Sequence, residues 1–204
     1  MFVSVVKINK YLIYLFLFLF FNCIFISSLK AADTTNGVKL DNDDLTDAFT
    51  GRLLRSITFN NDGTKMYNTS SENHGAAPQN DLLYEYVLTN AYDVSTASYQ
   101  GDAQKLDVSG QTDEPFGLTF NNDGTKLYVS GGLGAGKVFQ YTLGTAYDVS
   151  TQTGSVVEFA AGDTRPCGIR FNNDGTKLFV AGFNGGNIEE SHLSTAYDLS
   201  TASR

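Results

Sequence analysis

The heptapeptide Phe-Asn-Asn-Asp-Gly-Thr-Lys occurs three times without a single difference, at Phe59–Lys65, Phe120–Lys126 and Phe171–Lys177. Each copy belongs to a longer unit, because a second motif, AYDVST or AYDLST, follows each heptapeptide at a similar distance. The three phenylalanines lie 61 and 51 residues apart, a period typical of architectures in which each repeat packs on its neighbours. The chain is therefore predicted to be an array of three similar units.

Each unit contains the pattern of a β-hairpin. In GLTFNNDGTKLYVSG, apolar and polar residues alternate on both sides of Asn-Asp-Gly, and alternation with a period of two predicts strands. Asp-Gly between two such runs predicts a tight turn, in which the glycine adopts a positive φ and the aspartate bonds to nearby backbone N–H groups. The turn glycines are Gly63, Gly124 and Gly175, and the residues predicted to point into a core are Phe59, Phe120 and Phe171.

A third and a fourth strand complete the unit. LLYEYVL, KVFQYTL and NIEESHL predict third strands, and fourth strands are predicted near 103–108 and 155–160. The AYDVST motif predicts a turn bonded through its Asp and Ser/Thr side chains and anchored on the sheet by Tyr92, Tyr147 or Tyr197. Four short strands per unit without a helical pattern are typical of a β-propeller blade. The predicted fold class is all-β, a partial β-propeller of about three four-stranded blades preceded by a signal peptide.

The repeat resembles that of YVTN-type and related β-propellers. The resemblance rests on FNNDGTKLYV and on the Pro-x-Gly of EPFGLTF and RPCGIRF, which precedes the inner strand. The first unit departs from this pattern, because LLRSITF has neither the proline nor the glycine. The resemblance covers about residues 45–204 and implies the propeller fold, but propellers host many unrelated activities, so it implies no single function.

The N-terminal region differs from the repeats. Lys7 and Lys10 precede the apolar run Tyr11–Phe21, and small residues follow, an order typical of a secretory signal peptide cleaved after Ala31. An uncleaved membrane anchor is the alternative, because the apolar stretch approaches the length that spans a bilayer. The protein is thus predicted to be secreted or periplasmic, or else anchored and facing away from the cytoplasm. The predicted divisions are a signal peptide at 1–31, a linker at 32–44 and repeats at 45–204, with units near 52–108, 113–160 and 165–204.

Three blades are fewer than the roughly four to eight of closed propellers. The segment Leu45–Thr50 aligns with the fourth strand of a preceding blade, whereas the last unit is predicted to lack a fourth strand. Pairing of Leu45–Thr50 with Ile188–Leu193 would have to cross the gap left by the missing blades, which a compact closure of three blades would strain. An open arc leaves two blade faces uncovered, and these are expected to carry Phe59, Tyr67, Phe171 and Phe179. We therefore expect a piece of a longer propeller, or a half that self-associates through its open blade edges.

Charge and cysteine content limit the partners and the chemistry. All 22 acidic residues but only 11 basic ones follow Ala32, which gives that part a formal charge of −11. Such a charge opposes binding to nucleic acids and anionic lipids, so a membrane contact is expected only if the N-terminal segment is uncleaved. Cys167 is the single cysteine after the predicted cleavage site, which excludes an intrachain disulfide. It is interpreted as a small buried apolar residue rather than a reactive thiol.

No catalytic, cofactor-binding or metal-binding residue is predicted. His74 and His192 are the only histidines, and no hydrolase or zinc motif is present. Gly131–Lys137 superficially resembles a phosphate-binding loop, but it lies between strands and is interpreted as a glycine-rich hairpin. The Asn and Asp of the repeated turns could offer oxygen ligands to calcium, but each turn supplies too few of them.

The third unit breaks its own pattern. Glu189, Ser191 and His192 stand where the other units have mainly aromatic and apolar residues. A polar patch facing a ligand is one interpretation, and an exposed edge strand that discourages pairing with other chains is the preferred one.

Two functions of different class remain open. The preferred one is a non-enzymatic module that binds a protein or a glycan. The alternative is a propeller hydrolase resembling the secreted lactonases of the wider group. An enzyme would require His, Arg or acidic side chains from several blades to converge in one pocket. The equivalent positions are mostly identical turn residues, and no His or Arg recurs across the repeats. Finding ionisable groups from different blades in one place would reverse this preference.

Overall fold

The computed structural model describes residues 52–72, 81–132 and 136–204. The predicted signal peptide, the linker, the strand at Leu45–Thr50 and His74 lie outside this part of the chain. No helix within the described residues is long and apolar enough to cross a membrane. The described part consists of strands joined by turns and single 3-10 turns, in the order β1 (Arg52–Phe59), β2 (Lys65–Glu72), β3 (Leu82–Leu88), β4 (Ala97–Tyr99), β5 (Lys105–Asp107), β6 (Pro115–Phe120), β7 (Lys126–Gly131), β8 (Lys137–Leu143), β9 (Gln152–Ala160), β10 (Pro166–Phe171), β11 (Lys177–Gly182), β12 (Ile188–Leu193) and β13 (Ala202–Ser203).

These strands form three antiparallel sheets, which are three consecutive blades. Blade 1 has the order β1-β2-β3, and β4 and β5 pair one after the other with the two ends of β3. Blade 2 has the order β6-β7-β8-β9, and blade 3 has the order β10-β11-β12-β13. The chain within each blade runs from strand to neighbouring strand, which is the connectivity of a propeller blade. The prediction of an all-β partial propeller is thereby confirmed.

The outer strands differ from the prediction. In blade 1 the fourth strand predicted near 103–108 is two short strands, because a 3-10 turn at Asp102–Gln104 interrupts it. In blade 2 the fourth strand begins at Gln152, earlier than predicted, and stays continuous through a register shift opposite β8. The prediction that the last unit has no fourth strand was wrong, because β13 pairs with His192 and Leu193 of β12. The early part of β12 has no outer partner among the described residues.

The repeated heptapeptide forms the predicted turn in every blade. In blade 2, Gly124 has a φ of 73° and its N–H donates to the Asn121 carbonyl at 3.2 Å. The Asp123 carboxylate accepts from the N–H of Thr125 at 2.9 Å and from its hydroxyl at 2.5 Å. These bonds from Thr125 lower the pKa of Asp123. The seven residues are thus constrained by backbone conformation and by hydrogen bonds that only these side chains make.

The AYDxST motif forms a second turn that locks onto the first. The Tyr147 N–H donates to the Gly124 carbonyl at 2.9 Å, and the Asp148 carboxylate accepts from Ser150 N–H at 3.1 Å. The predicted anchoring is confirmed. Tyr92, Tyr147 and Tyr197 each have a φ of 59°, a left-handed conformation that tyrosine seldom adopts and that the repeat pattern does not predict. The tyrosine ring packs against the turn glycine, so the two motifs constrain each other.

Much of the core lies between blades, and a further cluster within blade 1 contains Met66, Tyr84 and Tyr86. One cluster joins blades 1 and 2, and a second joins blades 2 and 3. At each interface the second-strand tyrosine of one blade packs on the heptapeptide phenylalanine of the next, Tyr67 on Phe120 and Tyr128 on Phe171. Tyr67 and Phe171 were therefore wrongly expected on uncovered faces, since they are 0% and 9% exposed within the two interfaces. Of the four residues expected there, only Phe59 and Phe179 lie on the outward faces of blades 1 and 3.

Candidate functional site

A β-bulge at the start of each inner strand creates three equivalent positions. The register of β1 with β2 shifts between Leu54 and Ser56, and the same shift occurs at Pro115/Gly117 and Pro166/Gly168. The inner strands of consecutive blades lie side by side, so the three bulges lie at one end of the array. Bulges re-aim side chains and are common near functional sites. The residues at the bulged position are Arg55, Phe116 and Cys167.

Two arginines from blades 1 and 3 meet one buried carboxylate between them. Arg55 Nη2 lies 3.5 Å from Glu114 Oε1, and Arg165 Nη2 lies 3.7 Å from Glu114 Oε2. The Glu114 side chain is 3% exposed, whereas those of Arg55 and Arg165 are 21% and 30% exposed. Because the carboxylate is enclosed and the guanidinium groups reach solvent, this arginine pair presents a net positive charge on an otherwise acidic protein.

An aromatic ring fixes both guanidinium groups. The Arg55 and Arg165 guanidinium carbons lie 5.2 and 4.8 Å from the centre of the Phe116 ring, and Arg165 also lies 5.0 Å from the Phe183 ring. Such stacking favours the cation and leaves the in-plane N–H donors for other partners. Arg165 Nε is buried and makes no hydrogen bond within the described residues. The cluster therefore has donor capacity that its own side chains do not use.

Asp163 holds the loop that carries Arg165. Its carboxylate accepts from the backbone N–H groups of Arg165 at 2.6 Å and Gly185 at 2.5 Å. These two bonds lower the pKa of Asp163, so it stays ionised at neutral pH. Its Oδ2 faces two glycines, since a Cβ on Gly182 or on Gly185 would lie 2.3 or 2.8 Å from that oxygen. Asp163 therefore has a structural role, because it holds the backbone of Arg165 in place.

Cys167 lies beside this cluster but is not poised as a nucleophile. Its side chain is half-buried, and its thiol donates to the Arg165 carbonyl at 3.6 Å. Burial raises the pKa of the thiol and outweighs the opposing effect of Arg165. The pKa supports the interpretation of Cys167 as a packing residue, although the side chain is only partly buried.

The other predicted positions lie elsewhere. His192 is 63% exposed on β12 with Nε2 3.2 Å from Glu190, and Ser191 is buried at the position that Tyr141 occupies in blade 2. The third unit therefore has one polar residue turned inward and others on an exposed edge, which is not a single patch. Gly131 and Lys137 pair directly across β7 and β8, as expected for a hairpin between antiparallel strands.

The repeated turns are expected to remain without calcium. In each turn one carboxylate oxygen of the aspartate accepts hydrogen bonds from the threonine two residues later, as in Asp62, Asp123 and Asp174. No group of three or more metal-ligating side chains occurs in the described part of the chain. We expect the melting temperature of the protein to stay unchanged in millimolar calcium, measured by differential scanning calorimetry. A rise that the Asp123→Asn variant abolishes would contradict this expectation.

The arginine cluster is not apparent from the repeats, because its members do not recur from unit to unit. Glu114 and Arg165 occupy the same position of consecutive repeats, directly before the proline, and carry opposite charges. The sequence therefore does indicate the cluster: the residue before the repeated proline changes from acidic Glu114 in the second unit to basic Arg165 in the third, while the Pro-x-Gly that follows is the same.

The comparisons with known proteins agree with the fold. Residues 85–204 match the family described as lactonase, 7-bladed beta-propeller. A crystal structure from Bacteroides fragilis, provisionally assigned as a 6-phosphogluconolactonase, superposes with a TM-score of 0.50 at 18% identity and covers 72% of this chain. Hydrazine synthase from Kuenenia stuttgartiensis superposes with a TM-score of 0.46 at 14% identity, over 70% of this chain and 46% of its own. No curated protein sequence matches significantly.

This chain spans only 36% of the Bacteroides fragilis protein, and at 18% identity that likeness shows the fold alone. The family match is the stronger finding, since it extends over more than half of the sequence and covers most of the three blades. The chain belongs to the lactonase family of seven-bladed β-propellers.

Proposed function

We propose that the cluster of Arg55, Glu114 and Arg165 is part of the active site of a hydrolase that opens lactones bearing an anionic group. The observation that supports this is the convergence of ionisable side chains from three consecutive blades at one end of the inner strands. That convergence is the feature that separates an enzyme from a binding module in this fold. The family to which the chain belongs favours the same chemistry.

The proposed reaction adds water to the ester carbonyl and breaks the ring C–O bond. Glu114 accepts a proton from the attacking water while the water oxygen bonds to the carbonyl carbon. One guanidinium group donates hydrogen bonds to the oxyanion that forms, and the other binds the anionic group of the substrate. Glu114 then returns the proton to the ring oxygen as that bond breaks, which leaves a hydroxy acid.

A non-enzymatic binder of a small anion is the second candidate. The same arginine pair would hold a carboxylate or a phosphate without any reaction, since both guanidinium groups are partly exposed and rigidly stacked on Phe116. This candidate keeps the binding role expected from the sequence, but it replaces the expected protein or glycan with a small anionic ligand.

We expect Glu114→Gln to lower kcat for lactone hydrolysis by roughly 10²- to 10⁴-fold with little change in KM, because it removes the proton acceptor. We expect Arg165→Ala to raise KM for a phosphorylated sugar lactone but not for the same lactone without phosphate. The matched control is Glu158→Gln, which alters a carboxylate exposed on β9. Hydrolysis is followed in the full chain by proton release at constant pH.

The outcomes separate the two candidates. Binding of the phosphorylated hydroxy acid by calorimetry, without hydrolysis above the spontaneous rate, would favour the anion binder. If the full chain shows neither binding nor hydrolysis, the cluster serves only to join the three blades and the proposal is wrong.

A further inference from the structure

One serine hydroxyl joins the inner strands of blades 2 and 3 where both strands bulge. The Ser130 hydroxyl on β7 accepts from the Gly117 N–H of β6 at 2.9 Å and donates to the Pro166 carbonyl of β10 at 3.1 Å. Ser130 is 0% exposed, so both bonds are shielded from water. Because a hydroxyl carries a single proton, the bond to Pro166 uses its whole donor capacity. Ser130 therefore links the two bulges directly.

The glycine of EPFGLTF makes room for this link. A Cβ on Gly117 would lie 2.4 Å from Ser130 Oγ and 2.9 Å from the Cys167 carbonyl oxygen of blade 3. A side chain at this position would therefore push the hydroxyl away from the backbone N–H and push the two inner strands apart. The close approach of β6 and β10 thus requires the glycine.

Blade 1 has a hydroxyl at the same position but no such link. Thr69 faces Ser56 across β2 and β1, just as Ser130 faces Gly117 across β7 and β6. Ser56 has the side chain that Gly117 lacks, and the Thr69 hydroxyl is buried without a hydrogen bond to any described residue. A hydroxyl alone is therefore not sufficient, and the link occurs where the residue opposite is glycine.

The link lies directly beside the charged cluster. Its acceptor Pro166 follows Arg165 in the chain, and its donor on β6 is three residues after Glu114. Gly131, the residue after Ser130, packs on the same segment, since a Cβ there would lie 2.4 Å from the Glu114 carbonyl oxygen. The end of β7 therefore sets the backbone that carries the acidic group against the backbone that carries one of the arginines.

We propose that Ser130 is a positioning residue for the site of Arg55, Glu114 and Arg165, an inference that rests on the function proposed for that site. Its hydroxyl holds Glu114 and Arg165 at the separation at which the carboxylate takes a proton from water while a guanidinium group binds the substrate. Removing the hydroxyl leaves a backbone N–H and a carbonyl without this partner in the interface, so the two bulges can move independently. A misplacement of about 1 Å at a reacting centre can cost roughly 10²-fold in rate.

The test compares Ser130→Ala with Thr69→Ala, the matched truncation in blade 1, where no bond is lost. We expect Ser130→Ala to lower kcat for hydrolysis of a phosphorylated sugar lactone by roughly 10- to 100-fold, and Thr69→Ala to leave it within about twofold of the unaltered chain. Ser130→Thr should restore most of the rate, because it keeps the hydroxyl opposite Gly117 and because blade 1 buries a threonine at this position. An active chain whose rate survives Ser130→Ala would overturn the proposal.

The thiol of Cys167 gives a second readout that needs no activity. It is half-buried on the bulge that the link holds, and peptide mass spectrometry of the full chain separates its alkylation by iodoacetamide from that of Cys23. We expect alkylation to be about tenfold faster in Ser130→Ala, because one buried hydrogen bond fewer holds the strand. The rate should not change in Thr69→Ala or in Gly154→Ala, which strains the outer strand of blade 2 at a φ of 69°.

The two readouts separate this inference from the proposed function. If the unaltered chain hydrolyses no lactone, the proposed function is wrong, and Ser130 keeps its positioning role only if alkylation of Cys167 accelerates in Ser130→Ala alone. No acceleration in Ser130→Ala would overturn the inference whatever the activity. Equal acceleration in Gly154→Ala would overturn it as well, because general loss of stability would then account for the effect.

Discussion

Replacing Gly124 by alanine is expected to lower the free energy of unfolding by about 3 to 5 kcal/mol. Two effects add at this position. The residue has a φ of 73°, which costs an alanine about 1 to 2 kcal/mol, and a Cβ would lie 2.3 Å from the Tyr147 ring. The ring cannot move away easily, because the Tyr147 N–H donates to the Gly124 carbonyl and the Tyr147 carbonyl accepts from the Tyr67 hydroxyl of blade 1.

Gly154 provides the matched control. It has a φ of 69°, yet a Cβ there would meet nothing within 4 Å. Gly154→Ala should therefore show only the conformational cost, about 1 to 2 kcal/mol, in urea unfolding followed by circular dichroism. The difference between the two variants measures the contact of the two turns. Equal losses in both variants would show that the tyrosine ring does not constrain the turn.

The second large effect is expected at Glu85, where alanine should cost about 3 to 5 kcal/mol. Glu85 is 0% exposed, lies 2.6 Å from Lys65 Nζ and accepts from the Val149 N–H of blade 2 at 3.2 Å. Its removal leaves a cation and a backbone donor without this partner in the interface between blades 1 and 2. Thermal and urea unfolding of the full chain give the loss of stability.

Glu85→Gln is the control that blade 2 itself supplies. Gln140 occupies the equivalent position and accepts from the Leu199 N–H at 2.8 Å, so an amide can make the contact between blades. We expect the glutamine variant to lose about 1 kcal/mol, much less than the alanine variant. If the two variants lose equal stability, the ion pair with Lys65 dominates, and the backbone contact to Val149 contributes little.

The repeated turns were predictable because their requirements are local. A positive φ at Gly63, Gly124 and Gly175, and an aspartate bonding to the next N–H groups, depend only on residues a few positions apart. The alternating strands were predictable for the same reason, since the period of side chains follows from the backbone. The outer strands were predicted less well, because a strand at the edge of a sheet has one partner and weaker sequence constraints.

The arginine cluster was not predictable from the same reasoning. Arg55, Glu114 and Arg165 are 59 and 51 residues apart in sequence and meet only because the inner strands of three blades lie side by side. Each contributes at a bulge or directly before one, and a bulge re-aims its side chain in a way that an alternating pattern does not encode.

The sequence by itself therefore determined the repeat, the turn chemistry and the all-β class, since these follow from backbone conformation and nearest neighbours. Only the tertiary structure decided which face of each blade is covered, why tyrosine adopts a positive φ, and where the charged residues converge. The physical reason is that burial, the hydrogen bonds between blades and the charged cluster depend on contacts that join residues a whole repeat apart in the chain.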